Sequence, residues 1–289
     1  MHPRCPFPAW LRRAGAALLL AGAAAAPALA QDEAAYRFSP VNQYGIHLTA
    51  AYWNPIIAYV SEKSGVKLQL KIGRTSADTT AFVLAQEVEF VFTNHLFSPE
   101  REALGWKVFG RRQTPPVHGQ IIVPADSPIT DIAQLAGKEV AFPGPEATVA
   151  YKFPAAQLMA RKIDIKVVFG GNMDGALAQM FSGKVAAAGA NSQLAEGYAR
   201  RENRKYRVLW SSPPLHDLAL MSAAKVPEKA RKAVAAAFLG MAADPQGREV
   251  LHNASQQVGL TLEAAFIPSD GSEYAGYREF YRSAPASLR

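Results

Sequence analysis

Helical and strand-like patterns of apolar positions alternate along most of this chain. Residues 53–64 place Ile56, Ile57, Tyr59 and Val60 at helical spacing and stop at Gly65, a residue suited to a left-handed helix end. Residues 66–72 alternate as a strand does, 77–86 return to helical spacing, and 88–92 form a short apolar strand. Further strands are expected at 119–123, 140–142, 165–169, 185–188, 206–210 and 218–221. Between them lie a turn and helix over 127–135 and helices over 147–161 and 174–181. Two more helices follow, over 227–242 and about 246–254. Alternation of this kind predicts βαβ units, and so an α/β fold of mostly parallel sheets covered by helices.

The strand-to-helix junctions share a chemistry. The stretches LKIGRTSADTTAFVLAQEVEFVFTNHLFSPE and VVFGGNMDGALAQMFSGKVAAAGANSQLAEG repeat one another loosely. Each has a strand ending in Gly, a polar junction, a helix, a Val-led strand and an Asn at the next helix start. Four junctions carry hydroxyl or amide side chains: Thr75 and Ser76; Thr93 and Asn94, with His95; Asn172; and Asn191 with Ser192. The stretch AFPGPEATVAY, residues 141–151, adds a fifth, with Thr148 near its first helical turn. In a parallel sheet such junctions lie on one edge, where unpaired backbone N–H groups and positive helix ends converge. Capping alone explains any one of them. Five in two similar units point to a shared cleft for an anion or another polar ligand.

Composition narrows the setting. Arg4, Arg12 and Arg13 flank the start of an Ala/Leu/Gly stretch, and Ala28-Leu29-Ala30 has the form of an export-signal cleavage site. Residues 1–30 are therefore expected to be a signal peptide cut after Ala30, with the periplasm as destination. The apolar run is short and Ala-rich for a membrane anchor. The sole cysteine, Cys5, precedes it, so no lipid-bearing Cys follows the run. Without cysteines the exported chain relies on its size for a core. Losing the three arginines lowers the net charge from +7 to +4. Arg111-Arg112 and the cluster from Arg200 to Lys205 lack interleaved aromatics, so they read as solvated faces and no nucleic acid is expected as a partner.

The main enzyme signatures are missing. No Gly-rich loop leads into Lys-Ser/Thr, and there is no G-x-G-x-x-G or G-x-S-x-G. His47, His95, His118, His216 and His252 are scattered rather than set at metal-ligand spacing. Neither catalysis, nor a metal, nor a cofactor is expected.

Five stretches in order carry a family likeness: YWNPIIAYVSEKSGV, VEFVFTNHLF, GQIIVPADSPITDIAQLAGKEVAFPGPEATVAYKFP, VVFGGNMDGALAQMFSGKVAAAGANS and VLWSSPP. Together they resemble the periplasmic substrate-binding proteins of phosphate, phosphite and phosphonate ABC importers. The resemblance implies two α/β lobes, joined by crossing strands, that close over a ligand about a hinge. Residues 31–118 and 213–289 would form the first lobe and 119–212 the second. It also implies a monomer that captures a small anionic ligand between the lobes and delivers it to an ABC permease in the inner membrane. The alternatives are another small organic anion or polar metabolite, or ligand sensing beside a periplasmic kinase domain.

Site residues carry over only in part. The family's Ser-Thr-Ser at the second-lobe helix start falls on Ala147-Thr148-Val149, so Thr148 alone keeps a hydroxyl. The family's His at the next junction falls on Asn172, its first-lobe aromatic contact about Ser76, and a further contact on Thr93 or Asn94. Its acidic contacts to an amino group fall near Asn191 and on Asp217. Arg74, Tyr151 and the asparagines are the candidates to replace the lost donors. The expected ligand set is thus the junction residues with Thr148, Tyr151 and Asp217, while Trp53 and the aliphatic strands are expected in the core.

Overall fold

The computed structural model describes residues 35–260 and 264–289; the expected signal peptide and its cleavage site lie outside them. The fold opens with β1 (Tyr36–Pro40), α1 (Ile46–Ser64), β2 (Leu68–Leu70), α2 (Asp78–Leu84), β3 (Phe90–Thr93), the short α3 (Pro99–Glu102) and β4 (Lys107–Arg112). Next come β5 (Gly119–Pro124), β6 (Glu139–Phe142), α4 (Phe153–Ala160), β7 (Lys166–Phe169), α5 (Met173–Phe181), β8 (Ala187–Asn191), α6 (Ser192–Arg201) and β9 (Tyr206–Ser211). It finishes with β10 (Ala219–Ser222), α7 (Glu228–Gly240), α8 (Pro245–Gln257), β11 (Phe266–Pro268) and α9 (Ala275–Ser283).

These strands build two sheets, in the orders β11-β4-β10-β3-β1-β2 and β7-β6-β8-β5-β9. α1 and α2 are the crossovers that let β2 and β3 flank β1 in parallel, and α4 and α5 do the same for β7 and β8 about β6. The pairings of β10 with β3 and β4, of β11 with β4, and of β5 with β8 and β9 are antiparallel. The sheets are thus mixed, with antiparallel pairs slightly the more numerous among the described residues. The chain crosses between sheets at 113–118 and again at 212–218. The two crossings pair through Val117 and Leu215, which exchange backbone hydrogen bonds of 2.8 Å. No helix of the described residues is long and apolar enough to cross a membrane.

The first sheet packs around Trp53, whose ring centroid lies 4.9 Å from Phe38 and 5.0 Å from Phe92. The second buries Ile121, Val123, Leu135, Val140, Phe142 and Leu158. Several elements differ from the sequence pattern. α1 begins at Ile46 rather than at 53, because Thr49 takes a buried position and satisfies its hydroxyl on the Tyr44 carbonyl at 3.2 Å. Over 127–135 only a single 3-10 turn forms, Ile132–Leu135, held by a capping box between Asp131 and Gln134. β1, β4 and β11 are additional strands. Arg112, expected on a solvated face, ends β4 and is fully buried, because Asp217 lies there to pair with it.

The helix expected over 147–161 starts as a wide π turn, Thr148–Lys152, before tightening into α4. That turn rests directly on the second sheet. A Cβ on Gly119 would stand 2.4 Å from the Val149 carbonyl oxygen, and one on Gly189 only 2.3 Å from the Phe142 ring and 2.4 Å from the Ala150 carbonyl oxygen. Gly189→Ala therefore overpacks the seat of the turn and should cost about 1–3 kcal/mol. Urea unfolding of the variant reads this directly, and a midpoint equal to wild type would show that the turn shifts without cost.

Candidate ligand-binding cleft

Junctions from the two sheets face one another across a cavity of about 40 Å³, room for a few water-sized groups. From the first sheet come Val41, Asn42 and Gln43 after β1, Ser76 before α2, Asn94 and His95 after β3, and Leu218 before β10. From the second come Pro143 and residues 147–150 at the π turn, Met173 opening α5, and Asn191 with Leu194 at the start of α6. Thr148, Val149 and Ala150 are the first residues of their turn, so no preceding turn accepts their N–H groups. Such a helix start favours negative charge.

The wall mixes apolar side chains with neutral polar ones: no Lys, Arg, Asp or Glu lines it. Gln43 Oε1 accepts from Arg112 Nη2 at 3.2 Å. Asn191 Oδ1 accepts from the backbone N–H groups of Gln193 and Leu194 at 3.0 and 3.3 Å. Each amide thereby spends its oxygen inside the protein and keeps its nitrogen, a donor, for other uses. Asn94 Nδ2 donates to the Tyr277 hydroxyl at 3.3 Å. Ser76 is buried and its Oγ has no partner in the protein. His95 is buried too, with Nδ1 3.0 Å from Thr80 Oγ1. Burial pushes its pKa from the ordinary 6.5 down to about 3, so the imidazole is neutral at physiological pH. Among the described residues no group of three or more His, Cys, Asp or Glu could hold a metal ion.

Direct contacts bridge the two sides. Ser76 donates its backbone N–H to the Gly171 carbonyl at 2.8 Å. The Thr148 hydroxyl lies 3.2 Å from that of Tyr281. Arg101 grips the Glu146 carboxylate with both terminal nitrogens, at 2.5 and 3.1 Å. Burial alone would raise the Glu146 pKa, but the Arg101 hydrogen bond and charge hold it below the ordinary value.

Of the residues expected to meet a ligand, Ser76, Asn94, His95, Thr148 and Asn191 line the cavity. The others are directed elsewhere. Thr75 Oγ1 donates to the Asp78 carboxylate at 3.0 Å, and Thr93 Oγ1 accepts from the His95 N–H at 3.1 Å. Tyr151 packs edge-on against Phe142 and Phe169, with centroids 4.9 and 5.1 Å away. Asn172 caps α5 by accepting from Gly175 N at 2.8 Å, and Ser192 Oγ accepts from His118 N at 3.0 Å. Asp217 is taken by Arg112, at 2.7 Å. Asn42, Gln43 and Met173 are wall residues that the junction pattern did not single out. The signal for the first two was VNQYG, a further polar junction ahead of a helix whose start was placed too late.

A family model described as "ABC transporter, phosphonate, periplasmic substrate-binding protein" matches residues 41–274. PhnD1 from Prochlorococcus marinus, in complex with methylphosphonate, superposes with a TM-score of 0.71 at 14% identity, over 86% of this chain and 97% of that one. A binding protein component of an ABC phosphonate transporter from Pseudomonas aeruginosa gives 0.73 at 14% identity, over 86% of both chains. XAC2383 from Xanthomonas citri, bound to ATP, gives 0.65 at 14% identity, over 86% of this chain and 96% of that one. No curated protein sequence matches. At such identities the structural likenesses speak for the fold.

Two outcomes test the cleft's internal forces. The unfolded chain protonates His95 below about pH 6.5, which the folded protein resists down to about pH 3, so stability should fall across that window. Denaturant unfolding at several pH values should show a shallower decline for His95→Gln, most plainly above the carboxylate range; parallel curves would remove His95 as a cause. Arg101→Met should strip the cleft of a bridging contact worth on the order of 1 kcal/mol. Small-angle scattering should then report a larger radius of gyration than wild type, and an equal radius would exclude the pair from closure.

Proposed function

This chain belongs to the family of periplasmic substrate-binding proteins of phosphonate ABC transporters, and from that premise we propose that it captures a small oxyanion of the phosphate, phosphite or phosphonate kind in the cavity between its sheets. The supporting observation is the make-up of that cavity, which is small, uncharged and furnished with donors. Backbone N–H groups at the start of the π turn, the amide nitrogens of Gln43 and Asn191, and the Ser76 hydroxyl would surround an anion without a fixed cation. Each hydrogen bond to a charged oxygen is worth about 1.5–3 kcal/mol, so a handful suffices for tight binding. Neutral donors also let the anion leave when the cleft opens.

The mature chain would work in the periplasm as a monomer, after removal of residues 1–30, and hand its ligand to a permease in the inner membrane. Residues 31–118 with 213–289 would move as one lobe and 119–212 as the other. Sheet membership supports that division, since the first sheet draws its strands from 36–112 and 219–268 and the second from 119–211. The paired crossings at Val117 and Leu215 would be the hinge. The wall holds no activated nucleophile, which favours capture and release over catalysis.

Calorimetric titration with phosphate, phosphite, methylphosphonate and 2-aminoethylphosphonate should find at least one ligand bound more tightly than about 10 µM, roughly −7 kcal/mol. Silence across these four would defeat the oxyanion assignment. Ser76→Ala should weaken the bound member about tenfold or more, whereas unchanged affinity would take Ser76 out of the contact set.

A further inference from the structure

Gln43 and Asn191 spend their oxygens inside the protein and keep donors, whereas Asn42 is held the other way round. It follows β1 and is 1% exposed. Its Nδ2 donates to the carbonyl of Gly73, on the loop ahead of α2. That contact fixes the amide's rotation, because the flipped amide would set two oxygens face to face. Oδ1 is therefore the end left over, and it is buried with no partner in the protein. Only two side-chain atoms of the wall are orphaned in this way, Asn42 Oδ1 and Ser76 Oγ. One is an acceptor and the other can donate, the two kinds of partner that a ligand hydroxyl uses.

We propose, on the reading above that the cavity holds a small oxyanion, that Asn42 Oδ1 reads a proton on the ligand. The site then selects oxyanions that carry an acidic hydroxyl, such as the singly protonated forms of phosphite, phosphate or a phosphonate. It rejects fully ionised anions of the same shape and charge, such as sulfonates. The donors around the wall serve both classes equally, so they supply affinity without this choice. Asn42 Oδ1 makes the choice, because against a sulfonate oxygen it stays unpaired and repelled. A site that hydrogen-bonds a hydroxyl discriminates strongly against the analogue lacking one.

Methylphosphonate below its second ionisation and methanesulfonate have the same charge and nearly the same shape, and differ by that proton. Calorimetric titration of the protein should favour methylphosphonate by about tenfold or more, and Asn42→Leu should bring the ratio close to one. Equal affinities in the wild type, or a preference that survives Asn42→Leu, would overturn the proton readout while leaving the oxyanion assignment standing. No binding of either anion, nor of phosphite or phosphate, would overturn both. Should Asn42→Leu fail to fold, the wild type's own pH series decides. Methylphosphonate affinity must fall as pH rises through its second ionisation while methanesulfonate affinity holds, and the absence of such a fall overturns the proposal.

Discussion

A guanidinium–carboxylate pair shut off from water ties the start of the first crossing to the end of the second. Arg112 ends β4 just before the first crossing, Asp217 sits at the end of the second, and neither side chain has any exposure. Removing two charges from water costs several kcal/mol per ion, and losing one partner alone costs about 3–5 kcal/mol. Burial by itself would lower the Arg112 pKa; the Asp217 charge reverses this and holds it well above its ordinary value. The same guanidinium reaches the Tyr52 hydroxyl on α1 at 3.4 Å and Gln43 at 3.2 Å. On the other partner, Tyr274 donates its hydroxyl to the Asp217 carbonyl at 2.8 Å. One pair thus joins both crossings, the first helix, the C-terminal region and a wall residue of the cleft.

Charge is sorted by depth in this structure. The strong pair lies beneath the cleft, the Arg101–Glu146 bridge spans its two sides, and the wall between them is neutral. The arrangement suits an anion that must be held and then released. Arg112 does not line the cavity, yet by occupying Gln43 Oε1 it decides which end of that amide remains available. His95, kept neutral by burial, adds polarity without adding a cation.

Much of the fold was legible because its strands and helices alternate with clear periods and end in Gly, Pro or Asn. The exceptions have physical causes. β4 reads KVFGRR, and its arginines look like solvent-facing residues until Asp217, distant in sequence, is brought beside one of them. β11 has three residues, too few to show a period. At the cleft, junction chemistry pointed to the sheet edges that border the cavity but not to the direction of each side chain. Asn172 and Asn191 are both helix caps, and only Asn191 also borders the cavity. Thr148 borders it while its hydroxyl turns to Tyr281, so its share in the wall is mainly backbone. Residue type at a junction cannot separate these cases, because a cap and a ligand contact call for the same atoms.

The two sides of the cleft are built from different materials. On the second sheet the π turn is seated on Gly119 and Gly189 and presents main-chain N–H groups beside the Asn191 amide; on the first, Asn42, Gln43, Ser76 and Asn94 present side chains. Main chain is common to all amino acids, so a point substitution hardly alters what the π turn displays, and the two glycines leave no space to move it. Divergence of ligand preference on this scaffold is therefore easier through the side chains of the wall than through the π turn. An ancestor could have exchanged one anion for another by altering a few of those side chains, with the π turn inherited unchanged.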